Sequence, residues 1–321
     1  MRILAKGANV TVWRGEGDDG PMERVLSTTS APTMTPASMW FISGANAAFA
    51  YDDIEIIADG WTSDTTFAVN SGNELTSSTF GGVTTTYGYD AWGNMTSKAR
   101  GSYTATYAWH YGGKLTGVTS TFPGEGAVTY AYGGDGKRRG RTAGGVTTGY
   151  NWDKDWNVVD EESNAGALIL TYVRGLDIGT RTVLADITGP TPATGSFRYY
   201  GLDNLTSTRR LWNDAKGPVA ASEFKPYGAF YSQQGETHDV GFTGHYRDAV
   251  SGLSYAPYRF YDSQAGRWIR PDFADMVDGP NLHLYAVGNP IVFVDPLGLV
   301  CGTPGLGDVV VPDRCLGIFG N

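Results

Sequence analysis

A chain of 321 residues has the length of two ordinary domains or one elongated one, enough to bury a large core. Its 45 glycines are roughly twice the usual share, and only 18% of residues are charged, so the chain turns often and contains few helices. A net charge of −9 excludes an electrostatic footprint for nucleic acid and a polybasic membrane anchor, and no run of about 18 apolar residues predicts membrane insertion. The 13% of aromatic residues, with 19 tyrosines beside many threonines, predict a mainly β protein built of half-buried strands.

Met1 to Val12 carries Arg2 and Lys6 without an apolar run or a small-residue cleavage site, so no signal peptide is expected there. Residues 1–58 read as a small β-sandwich remnant: Ala8 to Arg14 alternates like a strand, Gly15 to Pro21 is a turn, and Phe49 to Ile57 is a second strand. Gly15, Gly17 and Gly20 match the spacing of a dinucleotide loop. Pro21 follows them and an amphipathic helix does not, so phosphates would lack the helix N-terminus that binds them.

Residues 59–149 become repetitive. Tyr87-Gly-Tyr-Asp-Ala-Trp-Gly-Asn94, Tyr107-Ala-Trp-His-Tyr-Gly-Gly-Lys114 and Tyr130-Ala-Tyr-Gly-Gly-Asp-Gly-Lys137 align as strand, glycine turn, strand. Gly93, Gly113 and Gly136 are expected to supply the positive φ of two-residue hairpin loops. A unit this short cannot bury its own face and must stack on its neighbours. Shorter echoes recur at Gly149-Tyr-Asn-Trp152 and Phe197-Arg-Tyr-Tyr-Gly-Leu-Asp203.

Asp153 to Glu162 offers oxygen ligands at the first positions of a calcium loop, but Val158 stands where glycine is needed and Asn164 where a bidentate Glu is needed. An acidic turn in solvent is the expectation. His110, His238, His245 and His283 show no zinc spacing, so no metal or other cofactor is expected. Cys301 and Cys315 lie 14 apart in the last 21 residues and permit one loop-closing disulfide, but cannot brace the main body.

The Tyr-x-Tyr-Asp-x-x-Gly-Asn line resembles the YD repeats of the RHS (rearrangement hot spot) family, and residues 150–299 resemble its repeat-associated core domain. Phe242-Thr-Gly-His-Tyr-Arg-Asp-Ala-Val-Ser-Gly-Leu-Ser-Tyr255 is similar to the family line FTG-x-x-x-D-x-x-(T/S)-GL-x-Y. Tyr258-Arg-Phe-Tyr-Asp-Ser-Gln-Ala-Gly-Arg-Trp-Ile-Arg-Pro-Asp272 is similar to RYYDP-x-x-GRW-x-(S/T)-x-D. Asn281 to Pro290 and Val294 to Leu299 complete four ordered motifs.

The resemblance implies a spiralling antiparallel β-sheet ribbon, part of an RHS shell, with a C-terminal core plug. It also implies a partner: a variable C-terminal polypeptide, often a toxin, encapsulated in full-length relatives and released by self-cleavage after the Asp-Pro-x-Gly-Leu motif. The bond cut would be Leu299–Val300, leaving residues 300–321 as a tail too short to fold without staples. Asp272 and Asp295 carry over as a carboxylate pair, one acting as base toward water and one as acid, with Asp278 as a secondary candidate and Arg259 as their charge partner. The second Asp-Pro-x-Gly motif is intact as Asp295-Pro-Leu-Gly298. The first reads Asp272-Phe-Ala-Asp275, without its proline and glycine.

Two functions fit these residues. One is an intramolecular aspartyl-type autopeptidase in a secreted or cell-surface polymorphic-toxin scaffold. The other is a non-catalytic β scaffold for adhesion, with exposed Tyr and Trp faces stacking on glycans. Asp295-Pro-Leu-Gly298 is, on its own residues, equally a plain type I turn.

Overall fold

A computed structural model of the chain describes residues 2–6, 9–14, 23–28, 55–58, 66–175, 182–189, 191, 194–273 and 280–299. The glycine motif at Gly15 to Gly20, Asp275, Asp278, Val300 and both cysteines lie outside these residues. The chain divides into two compact units, residues 1–65 with 80–82, and the remainder.

In the first unit, strands Arg2–Lys6, Asn9–Arg14 and Glu23–Thr28 pair antiparallel, and Glu55–Ala58 lies parallel to the first of them. They form one four-stranded sheet.

The second unit is dominated by a meander of sixteen strands, from Thr66–Val69 to Phe230–Gly235, in which every strand neighbours the one before it in sequence. The sheet does not close on itself, since its first and last strands each have a single neighbour. Strand pairing continues through Gly149 and both shorter echoes, which are the strands Val146–Trp152 and Ser196–Leu202.

Two kinds of hairpin loop recur. Gly93, Gly113 and Gly136 do have positive φ, at +77°, +70° and +77°, but each is the fourth residue of a five-residue loop and not part of a two-residue one. In Asp90 to Asn94 the first N–H bonds the fifth carbonyl at 2.9 Å, and the fourth N–H bonds the first carbonyl at 3.0 Å. The same pair of bonds closes His110 to Lys114, Gly133 to Lys137, Asp203 to Ser207 and Lys225 to Ala229. The Asp of the repeat explains the wider turn. Asp90 Oδ1 accepts the N–H groups of Trp92 and Asn94, each at 2.9 Å, satisfying donors that a tighter hairpin would have bonded across the strands. Asp153 and Asp203 do the same. Two-residue loops occur elsewhere, as at Gly144-Gly145, with φ of +56° and +78°.

Alternation along the strands directs one row of side chains to a common face. Tyr107, Tyr130, Tyr150, Tyr172 and Tyr200 are buried on it with Leu115, Val118, Val128 and Leu211. The residues after the last strand fold onto this face as the plug. The plug's own small antiparallel sheet joins Tyr246–Arg247, Ser254–Tyr255, Phe260–Asp262 and Arg267–Trp268. One side of the plug sends Tyr246, Leu253, Tyr255, Phe260 and Ile269 into the tyrosine layer. The other buries Phe242, Tyr261, Trp268 and Tyr285, with the Tyr261 and Tyr285 rings 4.4 Å apart.

Polar contacts fix the docking. Lys98 pairs with buried Asp262 at 2.8 Å, and Arg141 forks onto both oxygens of Asp248 at 2.8 and 2.9 Å. Asp248 also accepts the Tyr130 hydroxyl at 2.8 Å. Met95 N–H, on the sheet, bonds the Ile269 carbonyl of the plug at 2.8 Å.

Gly228 tests the loop geometry. Its φ is +82°, and a Cβ there would lie 2.6 Å from Cγ of the buried Phe242 ring. Gly228→Ala is expected to cost about 2–4 kcal/mol in urea unfolding, combining αL strain with displacement of a packed ring. Gly145→Asn, at φ +78° with nothing within 4 Å, is expected to cost under about 1 kcal/mol.

Candidate active site

The last described turn begins at Asp295. Its Oδ1 accepts the N–H groups of Gly298 at 2.8 Å and Leu299 at 2.9 Å, so the bend is closed by the Asp295 side chain and not by the backbone carbonyl bond of a type I turn. Gly298 closes it with φ +76°, and a Cβ there would meet Ala256 and Arg259 at 3.2 Å. The turn packs along residues 258–259: Tyr258 N–H bonds the Leu297 carbonyl at 3.1 Å, and Arg259 Nε donates to the Gly298 carbonyl at 2.6 Å.

Arg259 draws the remaining parts together. Its guanidinium is buried 4.4 Å above the Trp268 ring, and each of its nitrogens is used. Besides the Nε bond, Nη1 donates to the Leu282 carbonyl at 3.1 Å, and Nη2 lies 2.6 Å from Asp272 Oδ2 and 2.9 Å from Asp295 Oδ2. Asp272 is itself held by its N–H, which bonds the same Leu282 carbonyl at 3.0 Å. The structure thus brings Asp272, Asp295 and Arg259 together as the motifs imply, with two carboxylates on one guanidinium nitrogen. Their side chains are 6%, 1% and 1% exposed, so the charges meet in a medium where water screens them little. Asp278 and Val300 lie outside the described residues.

His245 holds the turn from the other side. It is fully buried, and its Nε2 lies 2.9 Å from the Asp295 carbonyl oxygen, which makes Nε2 the donor. Its Nδ1 is 3.1 Å from Thr243 Oγ1, which in turn is 2.9 Å from the Tyr285 hydroxyl. Arg267, by contrast, serves the framework, donating to the Asn73 carbonyl at 2.9 Å.

One acidic pair gave no signal in the sequence. Asp153 to Asn157 is the expected acidic turn, but Glu161 lies on the following strand, Val158–Ser163, and is buried. Glu161 Oε1 accepts the hydroxyls of Tyr172 at 2.6 Å and Tyr246 at 2.5 Å. Burial first, and then the Glu161 charge, push the Asp239 carboxyl up to about 7.

No family model matches the chain. Among curated proteins it is similar to the toxin subunit YenC1 of Yersinia entomophaga, 38% identical over 120 residues, which is 35% of this chain and 12% of that protein. It is also 41% identical over 61 residues to the toxin protein Tse5 of Pseudomonas aeruginosa, covering 19% of this chain and 5% of the relative. A probable deoxyribonuclease, RhsA of Dickeya dadantii, is 37% identical over 75 residues, 23% of this chain and 5% of the relative. These matches support an RHS/YD-repeat protein. The matched stretch is about an eighth of the length of the Yersinia subunit. Of solved structures, the TcdB2-TccC3-Cdc42 crystal structure aligns with a TM-score of 0.46 at 19% identity, covering 73% of this chain and 15% of that one.

Two outcomes follow from these geometries. Arg259→Met leaves two buried carboxylates without their cation and is expected to cost about 3–5 kcal/mol in urea unfolding at neutral pH; Arg259→Lys, lacking the fork, is not expected to restore it. Asp239 has a raised folded-state pKa, so its contribution to stability is full below the unfolded carboxyl value of about 4 and is lost as pH rises to about 7. Asp239→Asn should therefore stabilise the protein at pH 8 and give no such gain at pH 4, measured by denaturant titrations at the two pH values.

Proposed function

We propose that this chain is the C-terminal part of an RHS-type polymorphic-toxin scaffold, and that its plug hydrolyses one of its own peptide bonds, Leu299–Val300. The observation that carries the proposal is the joint hold of Arg259 on Asp272 and Asp295, with Asp295 Oδ1 bonded to the Leu299 N–H one residue before the bond to be cut. In this reading one carboxylate takes a proton from water as the water oxygen adds to the Leu299 carbonyl carbon. The other delivers a proton to the Val300 nitrogen as the C–N bond breaks. Arg259 fixes the spacing of the pair and balances its charge as the proton moves, and the Asp295 turn presents the bond in a single orientation. His245 positions this turn through the Asp295 carbonyl.

The relatives named toxins and toxin subunits support a toxin-type scaffold. The partner in the full-length protein is then the polypeptide following Leu299, enclosed by the repeats, and the assembly is exported or displayed at the cell surface. On this proposal the chain is arranged as an N-terminal segment 1–58, repeats 59–149, core 150–299 and tail 300–321. A second reading, glycan contact by a scaffold that does not cut itself, is favoured by two aromatics on the five-residue loops. Trp92 is 83% exposed and Tyr111 entirely so, whereas Tyr107, Tyr130, Tyr150, Tyr172 and Tyr200 of the strands are buried in the core.

Intact-mass measurement of the purified chain, beside Asp272→Asn and Asp295→Asn, separates the two. The wild type is expected to lack residues 300–321 and both variants to retain them. A folded wild type of full mass, or cleavage that persists in both variants, sinks the autopeptidase reading.

A further inference from the structure

We propose that Thr243 is a positioning residue for cleavage of Leu299–Val300: its hydroxyl sets the tautomer of His245 and so directs the imidazole proton at the Asp295 turn. This rests on the autopeptidase reading and extends it from the carboxylates to a buried chain of neutral groups.

The chain starts on the sheet. Ser207, which closes the loop from Asp203, is buried, and its Oγ accepts the Thr243 N–H at 3.0 Å. Thr208 anchors the same segment, its N–H bonding the Gly241 carbonyl at 3.2 Å and its hydroxyl the Val240 carbonyl at 2.7 Å. Thr243 Oγ1 then stands 3.1 Å from His245 Nδ1 and 2.9 Å from the Tyr285 hydroxyl, and His245 Nε2 stands 2.9 Å from the Asp295 carbonyl oxygen. Thr243, His245, Tyr285 and Asp295 are all at most 2% exposed, so water does not compete for these bonds.

Proton counting gives the chain a direction. A carbonyl only accepts, so in the neutral ring Nε2 carries the proton and Nδ1 is an acceptor. The Thr243 hydroxyl has a single proton to give, and the Phe242 carbonyl, 2.9 Å away, is already served by the His245 N–H at 3.0 Å. Tyr285 O–H therefore donates to Thr243 Oγ1, Thr243 O–H to Nδ1, and Nε2–H to the Asp295 carbonyl. In the other tautomer Nε2 would face that carbonyl lone pair to lone pair, and the turn would lose its hold on this side.

Backbone strain marks the same residue. Thr243 is β-branched and sits at φ +49°, ψ +34°, a left-handed conformation that such residues rarely adopt. Glycine would take it freely but brings no hydroxyl. The hydroxyl, and not the backbone shape, is what threonine supplies there. Trp268 and Tyr285 set their rings edge-on to the imidazole, at 5.9 and 6.2 Å, and restrict its rotation. With Arg259 Nε on the Gly298 carbonyl and His245 on that of Asp295, the turn before the bond to be cut is held at both ends.

The test follows self-cleavage of the full chain in time by intact mass after cell-free synthesis, beside NMR of the imidazole nitrogens in the purified protein. The wild type is expected to show His245, assigned by its loss in His245→Gln, as the Nε2–H tautomer. Thr243→Val should slow cleavage at least about tenfold and let the Nδ1–H tautomer gain population. Thr243→Ser, which keeps the hydroxyl, should restore most of the rate, and Tyr285→Phe should slow it less than Thr243→Val. If circular dichroism shows that Thr243→Val does not fold, Thr243→Gly, which relieves the backbone and also lacks the hydroxyl, takes its place. An Nδ1–H His245 in the wild type, or an unchanged rate in the folded variant without the hydroxyl, overturns the proposal and leaves the autopeptidase reading standing. A folded wild type that never cuts itself sinks that reading, and the positioning role with it.

Discussion

A long meander with tyrosines along one face must bury that face, and the rest of the structure depends on how it does so. The cover is the chain's own C-terminal segment, and the contact between cover and sheet centres on Arg138. This guanidinium is fully buried with no hydrogen-bond acceptor among the described residues, and it lies 4.5 Å from the Tyr150 ring, 5.6 Å from Tyr130, 4.9 Å from Tyr246 and 4.3 Å from Tyr255. Two of the rings belong to the sheet and two to the plug. A guanidinium is weakly hydrated and planar, so it tolerates ring faces where an ammonium would demand water. Sliding the plug along the sheet would take Arg138 out of its box and bury a cation with nothing to face. The interaction therefore sets the position of the plug as well as holding it.

Position matters because Tyr255 is followed directly by the segment that carries Arg259. Once Tyr255 is fixed against Arg138, the side chain of Arg259 can reach the carbonyls of Leu282 and Gly298 and both carboxylates. Three stretches of irregular backbone, which have no ladder of their own, are tied to one fork. Replacement of such a side chain by lysine keeps the charge and loses the geometry, because only the guanidinium offers donors in fixed directions.

The two acidic pairs of the plug region illustrate opposite ways of burying carboxylates. Asp272 and Asp295 share a cation, and backbone N–H groups converge on Asp295. Glu161 and Asp239 face tyrosine hydroxyls, and burial first, then the repulsion between them, keeps Asp239 protonated up to about 7. The first arrangement holds charge in place next to a backbone bond, whereas the second converts acidity into pH-dependent stability.

The sequence by itself determined what rests on neighbours in the chain. The tyrosine rows, the glycines of positive φ, the Asp90 turn and the Asp295 bend all follow from local backbone preference and strand alternation, and the grouping of Asp272, Asp295 and Arg259 was legible through motifs quoted residue by residue. Loop length was not, because two-residue and five-residue hairpins both take a residue of positive φ, which is Gly93 in one five-residue loop and Trp156 or Thr206 in others. Glu161 looked like part of a solvated acidic run, since nothing local reveals that its face of the strand meets Tyr246 from 85 residues away. Nor does anything local single out Arg138. Only the tertiary structure decided their roles, because a charge acquires its meaning from what surrounds it. For these residues the surroundings come from the stacking of the plug on the sheet, which bonds the Arg270 guanidinium to the Gly113 carbonyl, 157 positions apart.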